Sequence, residues 1–114
     1  MKVFYNGFGT QEAPFKTASP VLPKRAVSLQ STGYVDFADE GTAFTGVVAS
    51  YKNNVASVIM RGFAEANYKG TAPTVGICKL SVTAMGQFTV DEENGKPYTV
   101  LGVDTTSNTF EFFI

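Results

Sequence analysis

Val27-Ser28-Leu29-Gln30-Ser31-Thr32-Gly33-Tyr34-Val35-Asp36-Phe37 is answered 53 residues later by Leu80-Ser81-Val82-Thr83-Ala84-Met85-Gly86-Gln87-Phe88-Thr89-Val90. Both copies read apolar-Ser-apolar, then three spacer residues, then a glycine opening an alternating segment. Alternation with period two puts apolar side chains on one face of a strand and polar ones on the other. Each copy runs into an acidic turn, Asp39-Glu40-Gly41 or Asp91-Glu92-Glu93-Asn94-Gly95. Each then reaches a Gly-Val segment, Gly46-Val47 or Gly102-Val103, now 56 residues apart. An Asn-bearing turn and an apolar strand close each unit, Val55-Ala56-Ser57-Val58-Ile59-Met60 and Thr109-Phe110-Glu111-Phe112-Phe113-Ile114. Two such four-strand units predict an all-β fold, a small closed or sandwich-like barrel of about eight strands from two similar halves.

Composition supports the pattern. Val and Thr number 13 each, with 10 Phe and 5 Tyr against 4 Leu, a balance that suits a pleated, half-buried surface. Gly and Asn punctuate the alternating runs at Gly33, Gly41, Asn53-Asn54, Gly86, Asn94-Gly95 and Ser107-Asn108. Only Arg61 to Lys69 offers helix-forming residues, and it is too short for an independent helix.

Residues 1–24 differ from the rest. They carry Gly7, Gly9, Pro14, Pro20 and Pro23, with Phe4, Tyr5, Phe8 and Phe15 interspersed. Proline removes a ladder donor and biases its predecessor towards extended geometry, so the segment reads as an extended N-terminal arm ahead of a barrel over 25–114. Its aromatic residues either pack on the barrel or dock on a partner.

At 114 residues the chain suits one domain with a real core. Net charge is -1 with 17% charged residues, which gives no electrostatic footprint for nucleic acid or an anionic membrane. No apolar run approaches the ~20 residues of a membrane helix. The first residues lack the apolar core of a signal peptide, so a soluble chain outside the Sec route is expected.

Catalytic chemistry has little to work with. There is no His, no Trp and a single Cys, which removes Ser-His and Cys-His catalysis, imidazole metal sites and an intrachain disulfide. Cys78 lies in Gly76-Ile77-Cys78-Lys79-Leu80 and reads as a small buried hydrophobe. The carboxylates Asp36, Asp39, Glu40, Asp91, Glu92, Glu93 and Asp104 lie in or beside turns, where solvation is their usual role. The Asp91 turn lacks EF-hand spacing, and no phosphate-binding glycine loop occurs. No enzyme, cofactor or metal is therefore expected. Lys24-Arg25, Arg61 and Lys69 are the basic candidates for an interface. Phe110 and Phe112 share one strand face and Phe113 points to the other, so the C-terminal strand is covered by its own chain or pressed against another subunit.

The order of segments resembles the capsid decoration (cement) proteins of tailed bacteriophages. The residues that carry this are Pro20-Val21 leading into Val27-Ser28-Leu29, Gly33-Tyr34-Val35, Phe44-Thr45-Gly46-Val47-Val48, Val58-Ile59-Met60-Arg61-Gly62-Phe63-Ala64-Glu65, Ala72-Pro73-Thr74-Val75-Gly76-Ile77 and Leu101-Gly102-Val103. The likeness spans about residues 18–114. It implies a β-barrel or β-tulip-like domain with an extended arm. It also implies a partner in the major capsid protein, on the outer surface of the expanded shell, with the protein made in the host cytoplasm and forming a homotrimer on the capsid. By that resemblance Lys2, Phe4, Tyr5, Phe8, Phe15 and Lys16 would bind the capsid. Phe63, Tyr68, Phe110, Phe112 and Phe113 would form the oligomer contact. The competing reading is a carbohydrate- or host-binding surface module, with Tyr5, Tyr34, Tyr51, Tyr68 and Tyr98 as stacking platforms.

Overall fold

The computed structural model describes residues 11–17, 19–38 and 44–114. Lys2, Phe4, Tyr5, Phe8, Asp39 and Glu40 lie outside the described residues. The strands are β1 (Gln11–Lys16), β2 (Ala26–Leu29), β3 (Val35–Phe37), β4 (Gly46–Lys52), β5 (Val55–Arg61), β6 (Phe63–Asn67), β7 (Gly76–Val82), β8 (Phe88–Val90), β9 (Lys96–Asp104) and β10 (Thr109–Phe113). They form two five-stranded antiparallel sheets, ordered β1-β5-β4-β2-β3 and β6-β10-β9-β7-β8. Replacing each strand of the first sheet by the one five places later gives the second. The fold is all-β and built from two similar halves, as the repeat predicts.

The correspondence reaches single residues. Beyond β1, Thr17 bridges Val35 in parallel, and beyond β6, Tyr68 bridges Phe88 in the same way. Each sheet thus curls until its first strand touches its last. Thr17 N–H donates to the Asn54 carbonyl at 2.9 Å, and Tyr68 N–H to the Asn108 carbonyl at 3.0 Å. Both asparagines have positive φ, 63° and 56°, a conformation asparagine tolerates in tight turns. The β4–β5 ladder skips Ala49, and the β9–β10 ladder skips Leu101. That register equates Val48 with Val100, so the Gly46-Val47 and Gly102-Val103 segments matched from sequence are not equivalent. A glycine-valine pair recurs in both, but ladder register decides which residues correspond.

Each half holds one strand more than the pattern predicts. In the second it is β6, where helix-forming residues were noted. Ala64 and Ala66 face the core while Phe63, Glu65 and Asn67 face out, a period of two that the ladder with β10 enforces over local propensity. In the first half it is β1, within the segment read as an arm. Pro14 is accommodated because, among the described residues, β1 has only β5 as its ladder partner. Phe15 packs against the core of the first half, and Lys16 is exposed.

Two clusters fill the halves. Val21, Val27, Val35, Val48, Ala56 and Val58 form the first. The second holds Phe88, Phe110, Phe112, Leu80, Val82, Val100 and Tyr68, joined by Ala26, Ala38 and Val47 from the first half. Residues 24–26 tie the halves together. The Lys24 carbonyl accepts from Asn67 N–H at 2.8 Å, and the Arg25 guanidinium donates to the Met85 carbonyl at 3.1 Å.

Candidate interaction surface

Antiparallel pairing carries one row of side chains across the outer face of the second sheet. Phe63 pairs with Phe113, Phe113 with Thr99, and Thr99 with Ile77. Paired residues share a face about 5 Å apart, so the row crosses four strands. Ile77 is 79% exposed, Phe113 48%, and nearby Val75 69%. The Phe63 and Phe113 rings meet edge to face at 5.1 Å. Such a cluster marks an interaction surface more often than scattered apolar residues do.

Of the five residues expected at an oligomer contact, Tyr68, Phe110 and Phe112 are consumed by the chain's own core. Phe88, Phe110 and Phe112 stack with centroids 4.8 to 5.6 Å apart. Phe113 is the member of that set that stands exposed, with Phe63 half-buried against it. Ile77 joins them only through the β7–β9 register.

Immediately beside the row on β10 and β6 lie Glu111 and Glu65, which face each other across the ladder. Neither was singled out in the sequence. In the sequence Glu65 falls among the helix-forming residues 61–69 and Glu111 reads as the polar residue of the alternating Phe110-Glu111-Phe112, and only the register brings them together. They line a cleft of about 320 Å³ with Gly102, Asp104, Thr105 and Thr109. The Lys24 ammonium lies 3.5 Å from Glu65 Oε1.

The turn carboxylates act as local clamps. Asp91 Oδ1 accepts the Asn94 N–H at 2.9 Å and the Glu93 N–H at 3.2 Å, and Oδ2 accepts the Ser81 hydroxyl at 3.1 Å. The Asn94 N–H bond is the main cause that holds the Asp91 pKa below its ordinary value; slight desolvation opposes it. Asp104 Oδ1 accepts the Thr106 N–H at 2.9 Å, and Asp36 Oδ1 the Phe37 N–H at 2.8 Å. Among the described residues no three metal-ligating side chains are placed to hold a metal ion. Cys78 is buried.

The four described tyrosines do not form a platform, and Tyr5 lies outside the described residues. Tyr68 is in the core, Tyr51 donates to Asn54 Oδ1 at 3.1 Å, and Tyr34 stands exposed on another loop. Tyr98 packs on Phe112 at 5.5 Å, where burial raises its pKa. It lines a second cleft of about 240 Å³ with Phe44, Leu80, Asp91 and Lys96.

No family model and no curated protein matches the chain. Among solved structures, it is similar to the N base of the head fiber protein gp8.5 of bacteriophage phi29. The two chains are 15% identical over 92% of this chain and 93% of that one, with a TM-score of 0.69. At that identity the likeness establishes a common fold, the same β architecture across nearly the whole of both chains.

Proposed function

We propose that the protein is a non-enzymatic structural protein of a bacteriophage virion. In this reading it is a decoration protein that binds the outer surface of the assembled, expanded capsid where major capsid subunits meet. The observation that carries the reading is the fold-wide likeness to the base of a phage head fiber. The exposed apolar side chains of Phe113 and Ile77 support it, because a protein that works by presenting a surface needs one. Binding only the expanded lattice would stabilise that state by linkage, and many copies would multiply a modest affinity into a large effect. Residues 1–10, with Lys2, Phe4, Tyr5 and Phe8, would run across the shell. Copies of the protein would form a trimer on the shell.

Cosedimentation with shells lacking the protein tests this. Pelleting with expanded shells but not with unexpanded ones is expected. A chain lacking residues 1–10 keeps β1 and should melt as the full chain does while losing shell binding. Equal binding to both shells, or to neither, would sink the decoration role.

A further inference from the structure

Glu111 is a charged residue that is 7% exposed, and its Oε2 has no hydrogen-bond partner among the described residues. Among the described residues the only other buried side-chain oxygen in that position is the neutral hydroxyl of Thr17. Leaving a buried carboxylate oxygen unmatched costs far more than leaving a hydroxyl unmatched. Its ladder partner is Glu65, so two like charges sit directly opposite on one face, itself unfavourable. Asp104 adds a third carboxylate to the same cleft. Lys24 reaches Glu65, and no ion pair reaches Glu111 among the described residues.

The fold does not require this arrangement. Ladder register places Ser57 of the first half where Glu111 stands in the second, with Pro14 opposite in place of Glu65. The Ser57 hydroxyl there donates to Glu12 Oε1, so that position is satisfied within the chain. The second half departs from a satisfied arrangement and carries a negative, unmatched cleft instead.

We propose that this cleft receives a Lys or Arg side chain of a partner protein, its ammonium or guanidinium closing on Glu111. Charge complementarity names the occupant: two facing carboxylates, Glu111 and Glu65, against one lysine that reaches only Glu65 among the described residues. Continuity supports it, because Phe113 and Phe63 lie two residues along the same strands from Glu111 and Glu65. Residues two apart on a strand are about 7 Å apart, so the complementary surface carries its basic side chain about that far from an apolar one. A cation at an apolar rim is desolvated on binding, which strengthens its hydrogen bonds to carboxylate. The inference stands on Glu111 and does not depend on the partner being a shell protein.

The test is titration of the isotope-labelled full chain with N-acetyl-arginine amide and N-acetyl-lysine amide, followed by NMR, with calcium chloride as a separate arm. Saturable shifts at the amides of Glu65, Gly102 and Glu111 are expected at millimolar probe. Binding should weaken at least about tenfold in Glu111→Gln. That variant should also melt higher than the parent by about 4 °C, because an unmatched buried charge has been removed. Glu65→Gln provides a second variant and should weaken binding less. Absence of shifts up to about 50 mM probe, a millimolar affinity left unchanged in Glu111→Gln, or saturation by calcium alone overturns the proposal. Glu111-dependent self-association without probe also overturns it, since the occupant is then a second copy.

Discussion

The two halves share strand order, bulge position and bridging hydrogen bonds, but they are filled differently. Register equates Val35 with Phe88, Ala56 with Phe110 and Val58 with Phe112. Three aliphatic side chains in one half thus correspond to three stacked rings in the other. Volume is exchanged between strands in compensation. Phe15 of β1 stands opposite Ala56, whereas Ala66 of β6 stands opposite Phe110, so one large and one small residue meet in each ladder. Patterning and turns therefore fix the topology, while the core tolerates different fillings that conserve space. The same contrast holds on the outside, where Ser57 is satisfied and Glu111 is not.

The sharpest way to break the comparison is to truncate equivalent core positions. Phe88→Ala removes the ring that contacts both other phenylalanines and should cost about 4 kcal/mol. Val35→Ala should cost about 2 kcal/mol, because only two methyl groups leave the smaller cluster. Denaturant midpoints read both, and equal losses would show that the two cores contribute alike.

A smaller difference separates Gly33 from Gly86, which occupy the same place in the two repeats. Both have positive φ, 88° and 74°. A Cβ on Gly33 meets nothing within 4 Å, whereas one on Gly86 overlaps the backbone oxygen and nitrogen of Ala26. Gly33→Ala should cost about 1 kcal/mol from backbone strain alone. Gly86→Ala should cost about 3 kcal/mol, since the junction of the halves must shift as well. Similar thermal shifts would mean that the Gly86 contact does not lock the halves.

The smallest effect is expected at Asp91, whose counterpart in the first repeat is Ala38. Its folded pKa lies below the ordinary carboxylate value, so the carboxylate stabilises the fold above that ordinary value. The contribution is lost as the pH falls through the folded value. Asp91→Ala should therefore lower the melting temperature slightly at neutral pH, with the two proteins converging in acid. A gap that persists at about pH 2 would assign the effect to the turn's packing instead of its charge.

Much of the fold is legible in the chain. The pairs β2/β7, β3/β8 and β5/β10 coincide with the repeat as read, because each is a period-two segment bounded by Gly or Asn. The interaction surface is legible only in part. Phe113 stands out as the odd-faced aromatic residue of the last strand. Phe110, Phe112 and Tyr68 look the same in sequence but point inward. Glu111 carries no local signal, since a single Glu between two Phe is what any half-exposed strand shows.

By itself the sequence determined an all-β chain of two similar halves, low in charge and without imidazole chemistry. Alternation, turn residues and composition are local properties, and they act before any distant contact forms. Tertiary structure alone decided that β1 and β6 are strands, that Val48 corresponds to Val100, and that Glu65 faces Glu111 beside an exposed apolar row. Those facts depend on ladder register. A slip of one residue sends every side chain to the opposite face, and only packing across the whole sheet selects the register.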